Sequence, residues 1–194
     1  MQALLVVDAQ NEFSERGLRA VSNHPTAVGR IQEIVEESRR ESLPIAWIQH
    51  HNKPTESRAF VPGSWGADLS EGFGPRDGNG PEKLFQKDVF GAFTNTGLEQ
   101  WLRASNVSEV LIVGFYSHMC VSTSAREALV RGFDVTVDLV ATGACDISSD
   151  ELGFLSADEV RRTALLQLAH MGATIRGSIH AASHFATSPA LHST

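Results

Sequence analysis

The chain is short of cysteine, of net positive charge and of long apolar runs, and each shortage removes a class of protein. Only two cysteines occur among 194 residues, Cys120 and Cys145. That excludes a small secreted fold stapled by disulfides, and no C-x-x-C pair supports zinc or thioredoxin chemistry. Lys and Arg number 16 against 23 Asp and Glu, a formal net charge of −7. A binder of nucleic acid or of an anionic membrane needs a net or clustered positive surface. The basic pairs that occur, Arg39–Arg40 and Arg161–Arg162, sit among carboxylates on predicted helices and read as solvated helix faces. No apolar run approaches the roughly 18 residues of a membrane-spanning helix. Ala3 to Val7 is apolar but too short for an export signal, has no basic segment before it and runs into Asp8. The expectation is a cytoplasmic protein with reduced thiols and a small-molecule partner, binding neither nucleic acid nor membrane.

What is present is the composition of a globular chain, 42% hydrophobic and 20% charged, at a length that suits one domain. Short apolar runs alternate with amphipathic helices. Strands are predicted at Gln2–Val7, Pro44–His50, Lys83–Gln86, Glu109–Val113, Asp134–Leu139 and Ala173–Arg176. Helices are predicted from about Pro25, with Asn23 as its cap, from Thr96 with Glu99 as a capping box, from about His118 to Arg131, and from Ser156 with Glu159 as a second capping box. Strands alternating with helices imply a parallel sheet covered on both faces, a three-layer α/β/α sandwich with six strands. The domain is placed at residues 1–176, and the tail 177–194 is expected to be flexible or to touch a partner subunit. Between His51 and Pro81 lies a long Gly- and Pro-rich stretch, a length that in a compact domain usually marks a binding loop. Within it, Gly72 to Gly78 misses the G-x-G-x-x-G spacing of a dinucleotide loop.

In such sheets ligands bind beyond the carboxyl ends of the strands, where strand order reverses. Asp8 ends the first strand, Lys87 follows the third, and Cys120 falls in the first turn of the helix after the fourth. Each alone has an ordinary explanation: a turn-capping carboxylate, a solvated lysine, a small buried thiol. Together they form a nucleophile, a base and a cation, and a helix N-terminus favours a thiolate and offers N–H donors to an oxyanion. Cys145 reads as packing.

Four segments in order resemble the isochorismatase-like cysteine hydrolases. Leu4-Leu5-Val6-Val7-Asp8-Ala9-Gln10-Asn11-Glu12-Phe13 is similar to that family's opening motif, and Lys87-Asp88-Val89-Phe90-Gly91-Ala92-Phe93 to its lysine motif. Gly114 to Arg126, around Cys120, resembles the nucleophile motif, and Ala141-Thr142-Gly143-Ala144-Cys145-Asp146 the loop after the fifth strand. The resemblance spans about Leu4 to Ile175. It implies Cys120 as nucleophile, Asp8 as general base and Lys87 as third member of a triad. It also implies a cis peptide at Phe115–Tyr116, an oxyanion hole from the Tyr116 and Cys120 backbone N–H groups, and a homodimer or homotetramer.

The expected activity is hydrolysis of a small amide-type C–N bond through a thioester, with no cofactor. Nicotinamidases of the family bind a metal through Asp-x-His after the second strand, where this chain reads Gln49-His50-His51-Asn52. Adjacent histidines on an extended chain point to opposite sides, so one ion is not expected to take both His50 and His51. A metal-dependent nicotinamidase and a non-catalytic ligand-binding protein on the same scaffold are the alternatives. Phe13, Trp65, Tyr116 and His118 are expected to line the substrate pocket.

Overall fold

From Ala3 to Val7 every residue is buried, so the first strand has no solvent face and must lie inside a sheet covered on both sides. A computed structural model of the chain, which describes residues 1–77 and 80–177, has this arrangement. In chain order the elements are β1 (Gln2–Val7), α1 (His24–Arg40), β2 (Ile45–His50), β3 (Glu82–Lys87), α2 (Leu98–Ala104), β4 (Glu109–Phe115), α3 (Ser122–Val130), β5 (Asp134–Gly143), β6 (Ile147–Ser149), β7 (Gly153–Leu155), α4 (Ala157–His170) and β8 (Thr174–Arg176). Six strands form one parallel sheet in the order β3-β2-β1-β4-β5-β8. The chain winds outward from β1 to β3, then returns to β4 on the other side of β1, so the order reverses between β1 and β4.

Alternation along β1 divides the core. Leu4 and Val6 pack under α1 with Ile31, Ile34, Val35 and Trp47. Ala3, Leu5 and Val7 face the opposite layer, with Leu98 and Leu102 of α2, Ala125 of α3 and Leu165 of α4. The result is the three-layer α/β/α sandwich. The tail expected to be flexible or partner-bound lies, beyond Gly177, outside the described residues. Among the described residues no helix is long and apolar enough to cross a membrane.

Several local expectations are corrected. Ser156 and Glu159 do form a capping box on α4, but Thr96 and Glu99 do not. Gly97, at φ 74°, takes the cap position of α2, which leaves Glu99 one place short of reaching back. The Thr96 hydroxyl instead donates to the Ala92 carbonyl at 2.6 Å, and Glu99 pairs with Arg131 at 3.1 Å. Asn23 stands at the start of α1, yet its amide donates to the Thr142 carbonyl at 2.9 Å and ties α1 to β5. Strand β5 runs four residues past Leu139, because the Asp138 carboxylate accepts from the Val140 and Ala141 N–H groups and carries the chain over an irregularity in its pairing with β4. The small antiparallel pair β6–β7 adds two short strands that the apolar pattern does not mark.

Arg39 is the largest correction among these. It is buried rather than solvated, its guanidinium 2.8 Å from Glu82, whose other oxygen accepts from Trp47 Nε1 at 2.9 Å. Burial pushes the Glu82 carboxyl up, but the hydrogen bonds from Arg39 and Trp47 outweigh it and hold it below its usual value. Removing one partner of a buried ion pair typically costs about 3–5 kcal/mol. Arg39→Met is therefore expected to lose stability of that order in urea denaturation. A carboxylate held low stabilises the fold above its unfolded pKa and loses that contribution as pH falls. The gap between wild type and variant should thus narrow below about pH 4.

Candidate active site

The sheet sets three side chains at its carboxyl edge. Asp8 follows β1 in the left-handed region at φ 52°, held there by its N–H donating to the Ile48 carbonyl at 2.9 Å and its own carbonyl accepting from Gln10 N–H at 2.8 Å. His50 and Lys87 end β2 and β3 and are paired in register, so they lie side by side. Cys120 comes from the turn after β4. Gly114, at φ 120°, lies opposite Val7 of β1, and a Cβ at this position would overlap the Val7 carbonyl. Only glycine lets β4 press this closely on β1, and that approach delivers Cys120 to Asp8.

The turn itself differs from the expected helix start. Ser117 to Val121 form a π turn, with the N–H groups of Met119 and Val121 both donating to the Tyr116 carbonyl at 3.1 Å, before α3 begins at Ser122. The peptide bond between Phe115 and Tyr116 is cis. The loop after Lys87 is anchored on α3: Ala92 N–H donates to the Ser124 hydroxyl at 3.0 Å and Phe93 N–H to Glu127 at 2.9 Å. Gln10 clamps the end of β2, donating to the His50 and Ala67 carbonyls and accepting from the His50 N–H at 2.8 Å.

Lys87 Nζ is the hub. It lies 2.8 Å from Asp8 Oδ2, 3.2 Å from His50 Nδ1 and 3.3 Å from Cys120 Sγ. His50 Nε2 is 2.8 Å from Asn52 Oδ1. That arrangement suits a neutral imidazole, which donates to Asn52 and accepts from the ammonium. Asp8 Oδ1 is buried and has no hydrogen-bond partner among the described residues, so the carboxylate keeps a free acceptor beside the thiol.

Burial pushes the Cys120 thiol well up, Asp8 adds to the rise, and Lys87 opposes it without overcoming it. Burial pulls the Lys87 ammonium down, but Asp8 and the Cys120 sulfur outweigh that and hold it above its usual value. Burial and Asp8 thus both favour the protonated thiol, which lies next to a carboxylate able to accept its proton. Iodoacetamide should consequently alkylate Cys120 slowly at neutral pH, with a rate that climbs steadily through alkaline pH. A plateau reached near pH 7 would show a thiolate instead.

Above Cys120 opens a cavity of about 250 Å³ lined by residues including Phe13, His50, Phe60, Tyr116 and Met119. Phe13 packs edge-on to Tyr116, ring centres 4.8 Å apart. Two expected wall residues lie elsewhere. Trp65 is 45% exposed and turned outward under the Arg16 guanidinium. His118 stacks behind Tyr116 at 5.2 Å rather than facing the cavity. His50, which the sequence offered only as a metal ligand, is part of the constellation, and its register partnership with Lys87 is the signal that places it there. His51 points the other way, into a separate depression beside Gln86 and Asp88.

Donor atoms of Asp8, His50 and Cys120 lie within 4.8 Å of one another, a spacing a metal ion could use. Lys87 Nζ, however, is in hydrogen-bonding contact with all three. A metal cation and an ammonium cannot share that centre, so with Lys87 in place these residues do not fit a bound metal.

Residues 2–179 match the isochorismatase domain family. A secreted isochorismatase effector of Verticillium dahliae is 30% identical over 175 residues, covering 90% of this chain and 87% of the relative. Nicotinamidase 3 of Arabidopsis thaliana is 30% identical over 150 residues, 72% of each chain. Among solved structures, an isochorismatase from Pseudomonas putida superposes with a TM-score of 0.82 at 25% identity, over 90% of this chain and 86% of that one. With a sheet, a switch point and a domain match that agree from β1 to β8, the chain belongs to the isochorismatase family of hydrolases.

Proposed function

We propose that the protein hydrolyses a small amide-type C–N bond through a thioester on Cys120. The observation that carries this reading is the contact of Lys87 with both Asp8 and Cys120 at the floor of a small cavity. As Cys120 Sγ attacks the carbonyl carbon, its proton passes to Asp8. The carbonyl oxygen becomes an oxyanion, received by the backbone N–H groups of Tyr116 and Cys120. Collapse breaks the C–N bond while Asp8 returns the proton to nitrogen, which leaves as ammonia or an amine. Asp8 then takes a proton from water, the hydroxide attacks the thioester, and the acid departs as the thiol is restored.

Lys87 pairs with Asp8 and stabilises sulfur as it gains charge, while His50, fixed by Asn52, holds the ammonium in place. The similarity to a nicotinamidase supports an amide as the bond class. The metal-dependent version of that activity is disfavoured by the absence of Asp-x-His after β2, where the chain reads Gln49-His50-His51. Ammonia release from a panel of small primary amides, ureas and nicotinamide tests the proposal. Release that requires Cys120 is expected, and a protein that binds amides without cleaving any would be a ligand-binding scaffold.

A further inference from the structure

The cavity wall carries one cation without an anionic partner. Asp8, also in the wall, is already paired with Lys87, whereas among the described residues Arg19 forms no ion pair. Arg19 is an exposed residue that borders the cavity, and its backbone is tied directly to the catalytic turn. The Arg19 carbonyl accepts from the Tyr116 hydroxyl at 2.8 Å, and the Arg19 N–H donates to the Glu12 carbonyl at 3.2 Å. The nearby Glu12 carboxylate does not neutralise it. Its oxygens accept from the backbone N–H groups of Leu18 at 2.5 Å and Phe60 at 3.3 Å. The polar groups of Asn52 and Ser57, elsewhere in the wall, are engaged with His50 and with the Ala59 backbone. Phe13, Phe60, Phe90 and Met119 make the rest apolar. A site with a neutralised catalytic pair at its floor, apolar sides and one unneutralised guanidinium is complementary to a ligand with an apolar middle and an anionic end.

We propose that the substrate is a short amide bearing a carboxylate, which Arg19 binds while the amide carbonyl lies at Cys120. This deepens the amide-hydrolase reading and rests on it. The cavity, at about 250 Å³, is smaller than the roughly 300–1,000 Å³ of sites for drug-sized ligands, which limits the acid to a few carbons. Guanidinium–carboxylate pairing is a strong, charge-assisted contact, frequently bidentate.

The test compares succinamate and glutaramate with the neutral amides 4-methylpentanamide and 5-methylhexanamide, in which an isopropyl group of similar shape replaces the carboxylate. The wild-type protein should favour the acids in kcat/KM by about 10- to 100-fold, the range of a hydrogen bond to a charged group. KM for the acids should rise with ionic strength, since the guanidinium borders solvent. In Arg19→Gln the preference should fall towards one, and Arg19→Lys should restore part of it. Equal use of acids and neutral amides by the wild type, or a preference that survives Arg19→Gln, overturns the assignment and leaves the hydrolase reading standing. Ammonia from neither series, or release undiminished in Cys120→Ala, overturns the hydrolase reading and this assignment with it.

Discussion

Cys120→Ala is expected to lose amide hydrolysis by about 10⁴-fold or more, the scale on which nucleophile removal acts in covalent hydrolases. Without sulfur no thioester forms, and the oxyanion donors alone are left to assist water. The fold should survive. Cys120 is buried, but replacing its thiol by hydrogen removes little volume, and a stability change within about 1 kcal/mol is expected from thermal unfolding. The comparison that makes this informative is Cys145→Ser. Cys145 is the other free cysteine and is only partly buried, so its variant should keep most activity. Equal loss in both variants would point to a packing effect rather than to a nucleophile. Cys120→Ser should resemble the alanine variant, because a serine hydroxyl is harder to deprotonate than a thiol and would burden Asp8 further.

Asp8 and Lys87 give the second large effect, and here activity and stability separate. The two side chains are almost completely buried, 1% and 0% exposed, and lie 2.8 Å apart. Asp8→Asn leaves an unpaired buried ammonium and Lys87→Met an unpaired buried carboxylate. Either should cost about 3–5 kcal/mol in urea denaturation. Each should also lower turnover by about 10²–10⁴-fold, since Asn cannot accept the thiol proton and Met cannot stabilise sulfur as it gains charge. The double variant Asp8→Asn/Lys87→Met removes both charges, and much of the lost stability should return while turnover stays low. Recovery of turnover along with stability would mean that the pair serves the fold alone.

Much of this fold was readable from periodicity and punctuation. All six strands of the main sheet begin within one residue of the expected positions, because buried parallel strands are continuous apolar runs. The rule of the reversing strand order by itself draws Asp8, Lys87 and Cys120 to one edge of the sheet. What escaped depends on distant partners. Arg39 reads as solvated until Glu82 and Trp47, on neighbouring strands, are seen to enclose its charge. The Cys120 segment has helical composition, yet the Tyr116 carbonyl accepts from two N–H groups and opens a π turn, an outcome of how β4 meets α3. The cavity wall comes from irregular loops, where period carries no information. Trp65 faces solvent, and Arg19, an exposed residue, borders the cavity. The charge state of Cys120 followed the same pattern. A helix start suggested a thiolate, and burial beside Asp8 reversed it.

The thioester is tested most directly by competition between water and hydroxylamine for the acyl group. A primary amide, its N-methyl amide and the methyl ester of the same acid would all pass through one acyl-enzyme on Cys120. The mechanism predicts a single ratio of hydroxamate to acid, whichever group has left. A ratio that changes with the leaving group, or no hydroxamate at saturating hydroxylamine, would contradict it.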